Sequence, residues 1–270
     1  MRRVLVGFSL VLFLSGFLAV KKKETPLMAN LSYSVGEELE YRVHFGMFTV
    51  GKAITRVDKN FHTINARPCY KVDAYGVTSD WISWVAKVDD NWGAFIDTAT
   101  LLSHRSYRKL REGKYRRDEE SFFDHEKNKV EVKVKNRDTG AIESKIFDVP
   151  PKSKDLVSGF LFLRIVDFKK VAPGDTLYIS GFHEDASYEL KIIYTGKETI
   201  QTSLGKIPCL RLRPVMPKNS LFDGENSILC WISDDLNRIP IRLQAKMFIG
   251  NTGLELVKFR GLRNQLKMVF

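Results

Sequence analysis

The chain has 270 residues, 44% hydrophobic and 11% aromatic, enough for one large packed domain and too apolar for a disordered chain. A 28% charged fraction and a mean hydropathy of −0.20 exclude a multi-span membrane protein, and ordinary Gly and Pro counts exclude collagen-like and low-complexity classes. Of the formal charge of +11, five cations lie in the first 23 residues, leaving 38 basic against 32 acidic residues in the remainder.

The N-terminus reads Met1-Arg2-Arg3, an apolar run from Val4 to Val20, and then Lys21-Lys22-Lys23. Cations before a hydrophobic stretch are the pattern of an export signal. Phe17 stands where signal peptidase prefers a small side chain, so the segment is either a signal peptide with an imperfect cleavage site or a single N-terminal anchor. No Cys follows it, which excludes lipoprotein processing. The expected organisation is therefore 1–23 signal or membrane anchor, 24–34 linker, 35–262 a single β-rich exported domain and 263–270 a C-terminal tail.

Beyond the linker, hydrophobicity has period two. Leu39, Tyr41, Val43 and Phe45 alternate with Glu38, Glu40, Arg42 and His44, so one set faces a core and the other solvent. Gly46-Met47-Phe48 interrupts, and 49–57 alternates again, which predicts a β-hairpin. Strand-like runs recur at 70–74, 92–96, 119–124, 130–134, 142–149, 177–180, 188–194, 207–215, 227–232, 239–247 and 254–260. Turn signals punctuate them at Asp138-Thr139-Gly140, Pro173-Gly174-Asp175, Asp223-Gly224 and Gly250-Asn251-Thr252-Gly253.

Three segments depart from this pattern. Ser79 to Val85 carries Trp81 and Trp84 outside the alternation and reads as a short helix or a loop with exposed rings. The basic run from Arg105 to Arg117, with Tyr107 and Tyr115 interleaved, reads as the solvated face of a hairpin, with contact to anionic lipid or glycan as the lesser alternative; no recognition motif accompanies it, and nucleic acid is not an expected partner. Ser153 to Phe168 reads as a helix, with Leu156, Phe160 and Leu163 on one stripe, Val157, Leu161 and Ile165 on the next, and Asp155 suited to its first turn. So broad an apolar face needs a sheet to cover it. Without helices between strands a parallel sheet is disfavoured, and the expected fold is all-β and mostly antiparallel: a curved sheet or an open or half β-barrel with one packed central helix.

Chemistry-bearing motifs are absent. There is no G-x-S-x-G, H-E-x-x-H, P-loop or G-x-G-x-x-G, and His44, His62, His104, His125 and His183 are scattered, so no catalytic residue, metal site or cofactor is assigned. Asp234-Asp235 reads as a tight turn between strands; a hydrolase acting on envelope glycan or lipid would need those carboxylates to meet Asp124 or Glu120 in one cleft. Of the three cysteines, Cys209 and Cys230 lie on two β-rich runs and are a candidate disulfide across a hairpin, the alternative being three buried thiols alongside Cys69. Among the aromatics, Trp81, Trp84, Trp92 and Phe160 form a candidate apolar ligand site, with core packing as the competing role of each.

Several segments taken in order carry a resemblance. Gly36-Glu37-Glu38-Leu39-Glu40-Tyr41-Arg42-Val43, then Phe45-Gly46 and Val50-Gly51-Lys52-Ala53, are followed by Phe123-Asp124, Asp155-Leu156-Val157-Ser158 and Leu163-Arg164. Gly174-Asp175, Leu204-Gly205-Lys206 and Trp231-Ile232-Ser233-Asp234-Asp235, leading to Arg238-Ile239-Pro240-Ile241, complete the set. This order resembles the exported bacterial family known as domain of unknown function 3108. The resemblance implies a periplasmic or surface location, a barrel-like or half-barrel fold, and no catalytic residues. The functional expectation is a non-enzymatic cell-envelope protein that binds a hydrophobic or amphipathic ligand, such as a lipid, in a concave sheet. The alternative is an assembly factor that pairs with an envelope protein through sheet edges.

Overall fold

The computed structural model describes residues 25–84, 87–137, 139–215, 226–248 and 250–269. The segment 1–23 and the Asp223-Gly224 turn signal lie outside the described residues. The run that opens at Glu38 begins a meander of β1 (Glu38–Phe45), β2 (Phe48–Ile64), β3 (Arg67–Thr78), β4 (Asp89–Asp97), β5 (Ser103–Glu112), β6 (Tyr115–Asp124), β7 (Lys129–Lys135) and β8 (Ile142–Asp148). A short helix, α1 (Leu156–Phe162), and 3-10 turns at Leu163–Ile165 and Phe168–Lys170 follow. A second meander holds β9 (Thr176–His183), β10 (Ala186–Thr202), β11 (Gly205–Val215), β12 (Ile228–Ser233), β13 (Pro240–Met247) and β14 (Gly250–Arg260).

All strand pairs are antiparallel, in one 14-stranded sheet ordered β8-β7-β6-β5-β4-β3-β2-β1-β14-β13-β12-β11-β10-β9. The first meander runs outward from β1, α1 carries the chain to the opposite edge, and the second meander returns until β14 pairs with β1, with Tyr41 opposite Leu256. Because Phe45 at the end of β1 faces Thr252 near the start of β14, the β1–β2, β3–β4, β5–β6, β9–β10 and β13–β14 connections all fall at one end of the sheet, the tip end.

The sheet is not closed. The terminal strands β8 and β9 share no ladder; instead Lys154 forms a parallel bridge to Gly181, its amide donating to Ser180 O (3.0 Å) and its carbonyl accepting from Phe182 N (2.9 Å). Phe147 packs on Phe182 beside this seam, with ring centroids 5.2 Å apart. Curvature is helped where glycine faces tyrosine across the ladder. A Cβ on Gly93 or Gly181 would collide with the rings of Tyr107 or Tyr188, so only glycine lets those rings lie flat over the neighbouring strand.

Helix α1 is shorter than the 153–168 span that the apolar spacing predicts. Asp155 caps it, accepting from the amides of Val157 and Ser158. It ends because Val166 adopts extended backbone and bridges to Leu27, while Met28 N donates to Ile165 O (2.9 Å). The same contacts correct the reading of 24–34 as a linker: from Leu27 onward this segment lies against the helix, and Ser32 and Tyr33 are fully buried. The last residues also pack back, with Leu266 buried and Val269 bridged to Lys206.

The main core joins α1 and its following turns to both meanders, through residues such as Val72, Ile96, Leu161, Ile165, Ile192 and Ile232. Among the described residues, no helix is long and apolar enough to cross a membrane.

Candidate functional site

Inward-facing side chains of a curled sheet converge on α1, but they do not fill the space. On one side of the helix a cavity of about 260 Å³ is bounded by β1–β4 and β13–β14, with Ala53, Ala74, Trp92 and Leu254 in its wall. On the other a cavity of about 200 Å³ is bounded by β9–β13, with Ile179, Leu190, Ile192 and Leu212 in its wall. Leu156, Phe160, Arg164, Cys230, Pro240 and Leu243 line both, so Phe160 and its helical neighbours form the partition between them. Leu156, one turn before Phe160, is 40% exposed. Both walls are mainly aliphatic, and Ala53, Leu190, Leu243 and Leu254 stay half-buried rather than packed.

The larger cavity has a polar floor. Arg164 donates to both oxygens of Glu37 (2.5 and 2.8 Å), to Asn237 O (2.9 Å) and to Ser32 O (2.9 Å), so every guanidinium nitrogen has a partner although the side chain is fully buried. Burial works against that charge, but the Glu37 carboxylate outweighs it and the Arg164 pKa is raised. Beside this pair the Tyr41 hydroxyl is buried, adjoins Thr55 and makes no hydrogen bond among the described residues. Burial holds its pKa far above the ordinary phenol range, so it remains a neutral donor facing an apolar space. In the smaller cavity, burial pushes the Tyr188 phenol up to about 12.

At the seam between β4–β6 and the β9–β10 turn lies a third, nearly filled space of about 30 Å³. Arg108 makes a buried bidentate pair with Glu119 (2.8 and 2.8 Å) and stacks over Trp92 at 5.7 Å, and Trp92 meets the His183 ring at 5.5 Å. Burial, with the Arg108 charge next, lowers the His183 pKa. Next to it, Lys154 is buried over the Phe162 ring (4.5 Å), and burial followed by the Lys152 charge brings its pKa down to about 8.

The four aromatics selected from the sequence divide into two pairs. Trp92 and Phe160 line the larger cavity, whereas Trp81 and Trp84 stand on the β3–β4 connection, 55% and 85% exposed. Their indole N–H groups donate to Thr49 O and to Trp81 O, so the exposed-loop reading of that segment is the observed one. The basic run is the β5–β6 hairpin, and much of its charge is neutralised across the strand pair: Arg105 on Glu120, Arg108 on Glu119 and Arg111 on Asp118.

The Cys209–Cys230 disulfide is not formed. Cys209 faces Ser233 and Cys230 faces Leu212 in the same ladder, an odd offset that turns the two thiols to opposite faces of the sheet. Burial pushes both up to about 12. The carboxylates of the hydrolase reading are each engaged elsewhere: Asp234 with Lys197, Asp235 with the amides of Asn237, Arg238 and Lys267, Asp124 with Lys127, and Glu120 with Arg105. No group of three or more metal-ligating side chains occurs among the described residues.

Sequence reasoning missed Glu37, Arg164, Tyr41 and Lys154. Glu37 and Arg164 were visible only as members of separate motifs, and nothing local says that a charge in an apolar helix stripe finds its partner 127 residues away.

Among solved structures, the fold is similar to a beta-barrel-like protein of domain of unknown function DUF1849 from Brucella abortus, with a TM-score of 0.55 and 12% identity over 85% of this chain and 98% of that one. At that identity the likeness concerns the fold alone. No curated protein matches the chain. The family model described as "Protein of unknown function (DUF3108)" matches residues 40–257, from within β1 to within β14. The chain therefore belongs to the DUF3108 family.

Proposed function

We propose that the protein is a non-enzymatic carrier of the cell envelope that holds a hydrophobic or amphipathic ligand in the two-part chamber around Phe160. The observation that carries this reading is the chamber itself: adjoining cavities of about 260 and 200 Å³ whose aliphatic walls are left partly exposed. Unfilled apolar space of that size costs stability unless something occupies it, because lining atoms lose their packing partners. The unbonded Tyr41 hydroxyl supports a ligand with one polar group near the floor and an apolar remainder. The Arg-Arg, apolar, Lys-Lys-Lys pattern of the first 23 residues supports export.

The test is native mass spectrometry of the full chain purified from a bacterial envelope fraction, with organic extraction of any mass that accompanies it. A stoichiometric apolar adduct that is absent from Ala53→Phe, a substitution that fills the larger cavity, is the expected result. A bare polypeptide mass for the folded wild-type protein overturns the reading.

A second reading, pairing with another envelope protein, is favoured by one feature. Edge strand β8 is exposed along most of its length and carries Ile142 and Ile146 on its surface. An Ile146→Lys variant that loses a co-purifying protein while keeping the apolar adduct would separate this role from the carrier role.

A further inference from the structure

The tip end carries a second feature that the chamber does not explain. Met47 and Phe48 project from the β1–β2 turn, Trp81 and Trp84 from the β3–β4 connection and Phe248 from the β13–β14 turn, and all five are exposed, Met47 at 98%. These hairpins are neighbours in the sheet. Gly46 N donates to Asn251 O (2.7 Å) between two of the turns, and the Phe48 and Trp81 rings lie 6.2 Å apart across the other pair. Five large apolar side chains on adjacent turns form one patch rather than scattered surface residues.

We propose that this patch docks the protein on a lipid bilayer, with the ring-bearing tips entering the boundary between headgroups and acyl chains. Three observations favour a bilayer over a protein groove as the occupant. The Trp81 and Trp84 indole N–H groups are already bonded to Thr49 O (2.9 Å) and Trp81 O (3.0 Å), so both rings can leave water without stranding a donor. On the three hairpins that carry the patch, Lys52, Lys87 and Lys246 are exposed near the turns against Asp80 and Asp89, a small excess of cations that complements anionic headgroups. Partly exposed Leu156, which lines both cavities, shares the larger one with Trp92 and Leu254, near the tip-end starts of β4 and β14, and so lies on the patch side of Arg164 and Glu37. The opposite end is occupied by Tyr33, Arg164 with Glu37, Val166 and Phe168. An apolar cargo could thus pass between bilayer and chamber without crossing water. That purpose rests on the carrier reading, whereas docking itself is measured without any cargo.

The experiment uses the full chain and vesicles of phosphatidylglycerol and phosphatidylethanolamine, with and without acyl chains brominated near the headgroup, and follows tryptophan fluorescence. Bromolipid quenching is expected in the wild type and lost in Trp81→Ser/Trp84→Ser, which leaves Trp92 and Trp231 as internal references. Met47→Ser/Phe48→Ser/Phe248→Ser keeps both reporter rings, and its quenching is expected at roughly tenfold higher lipid concentration, as about one buried aromatic's worth of transfer energy implies. Because the body's quenching is read at the tips, attachment through the N-terminal segment alone does not mimic it. Wild-type tips that remain unquenched on brominated vesicles overturn the proposal, as does quenching that all five substitutions leave unchanged. A sedimentation result in which the patch is covered by a second copy instead, again without quenching, also overturns it. The apolar adduct in native mass spectra is unaffected by these tip substitutions if docking is correct and separate from the chamber, so each reading can fail alone.

Discussion

Arg164, in the 3-10 turn that follows α1, and Glu37, immediately before β1, are joined in a buried bidentate ion pair that ties the helix to the first strand of the sheet. The pair closes the chamber floor opposite the tip end, and Ser32 and Asn237 complete its hydrogen bonds. Taking two charges out of water is costly, so the pair is worth most as a device that positions α1. Arg164→Met alone leaves Glu37 buried and unpaired, and a loss of about 3–5 kcal/mol is expected in denaturant unfolding. Glu37→Leu/Arg164→Met should recover most of that loss. If the double variant is as unstable as the single one, the cost lies in packing and not in the orphaned charge.

Phe160 separates two spaces that would otherwise be continuous. Phe160→Ala joins them, and because the ring is only half-buried the stability loss should be modest, about 1–3 kcal/mol. The adduct distribution in native mass spectra is expected to move toward longer or bulkier apolar molecules. An unchanged distribution would mean that a ligand occupies one side only, and that the ring is wall and not partition.

Much of this architecture was legible from alternation alone. Leu39, Tyr41, Val43 and Phe45 point inward as the pattern requires, and the open antiparallel sheet with its internal helix follows from strand runs on either side of 153–168. The Arg108–Glu119 pair was also within reach: a turn centred on Gly113-Lys114 places those residues directly opposite each other. What local pattern could not give is the long-range bookkeeping of charges and spaces. Helix length failed because the bridge between Val166 and Leu27 competes with continued helix, and that partner lies in a segment whose composition resembles a linker. The aromatic site was half legible: departure from alternation identifies exposed tips such as Trp81 and Trp84, whereas the chamber ring Trp92 lies inside a regular strand.

Tyr41 offers a test of ligand polarity. Its hydroxyl is buried without a hydrogen bond among the described residues, a state that costs about 1–3 kcal/mol. Tyr41→Phe should therefore leave the ligand-free protein as stable as the wild type or more stable, measured by thermal unfolding after delipidation. The same variant should retain purely hydrocarbon probes and lose affinity for a long-chain alcohol or acid by about tenfold. Equal losses for both probe types would show that the hydroxyl contributes shape and not a hydrogen bond.

Lys154 gives the protein a pH dependence whose sign is opposite to that of a salt-bridged lysine. Burial, assisted by Lys152 and only partly countered by Asp155, lowers its pKa from 10.5 to about 8, while its Nζ donates to Lys152 O at 3.1 Å. Between those two values the unfolded chain holds a proton that the folded chain has released, so this residue's penalty is full below about pH 8 and fades as pH rises through 10.5. At about 1.4 kcal/mol per pKa unit the penalty is on the order of 3 kcal/mol, reduced in practice by the Phe162 contact, which a neutral side chain partly keeps. Lys154→Met is therefore expected to be more stable than the wild type at pH 7, by about 1–3 kcal/mol in urea unfolding. The advantage should shrink at pH 10, a comparison within one pair of proteins that cancels the titration of buried tyrosines common to both. An advantage that does not change with pH would mean that methionine simply packs better and that the lysine's charge is not what the site resists.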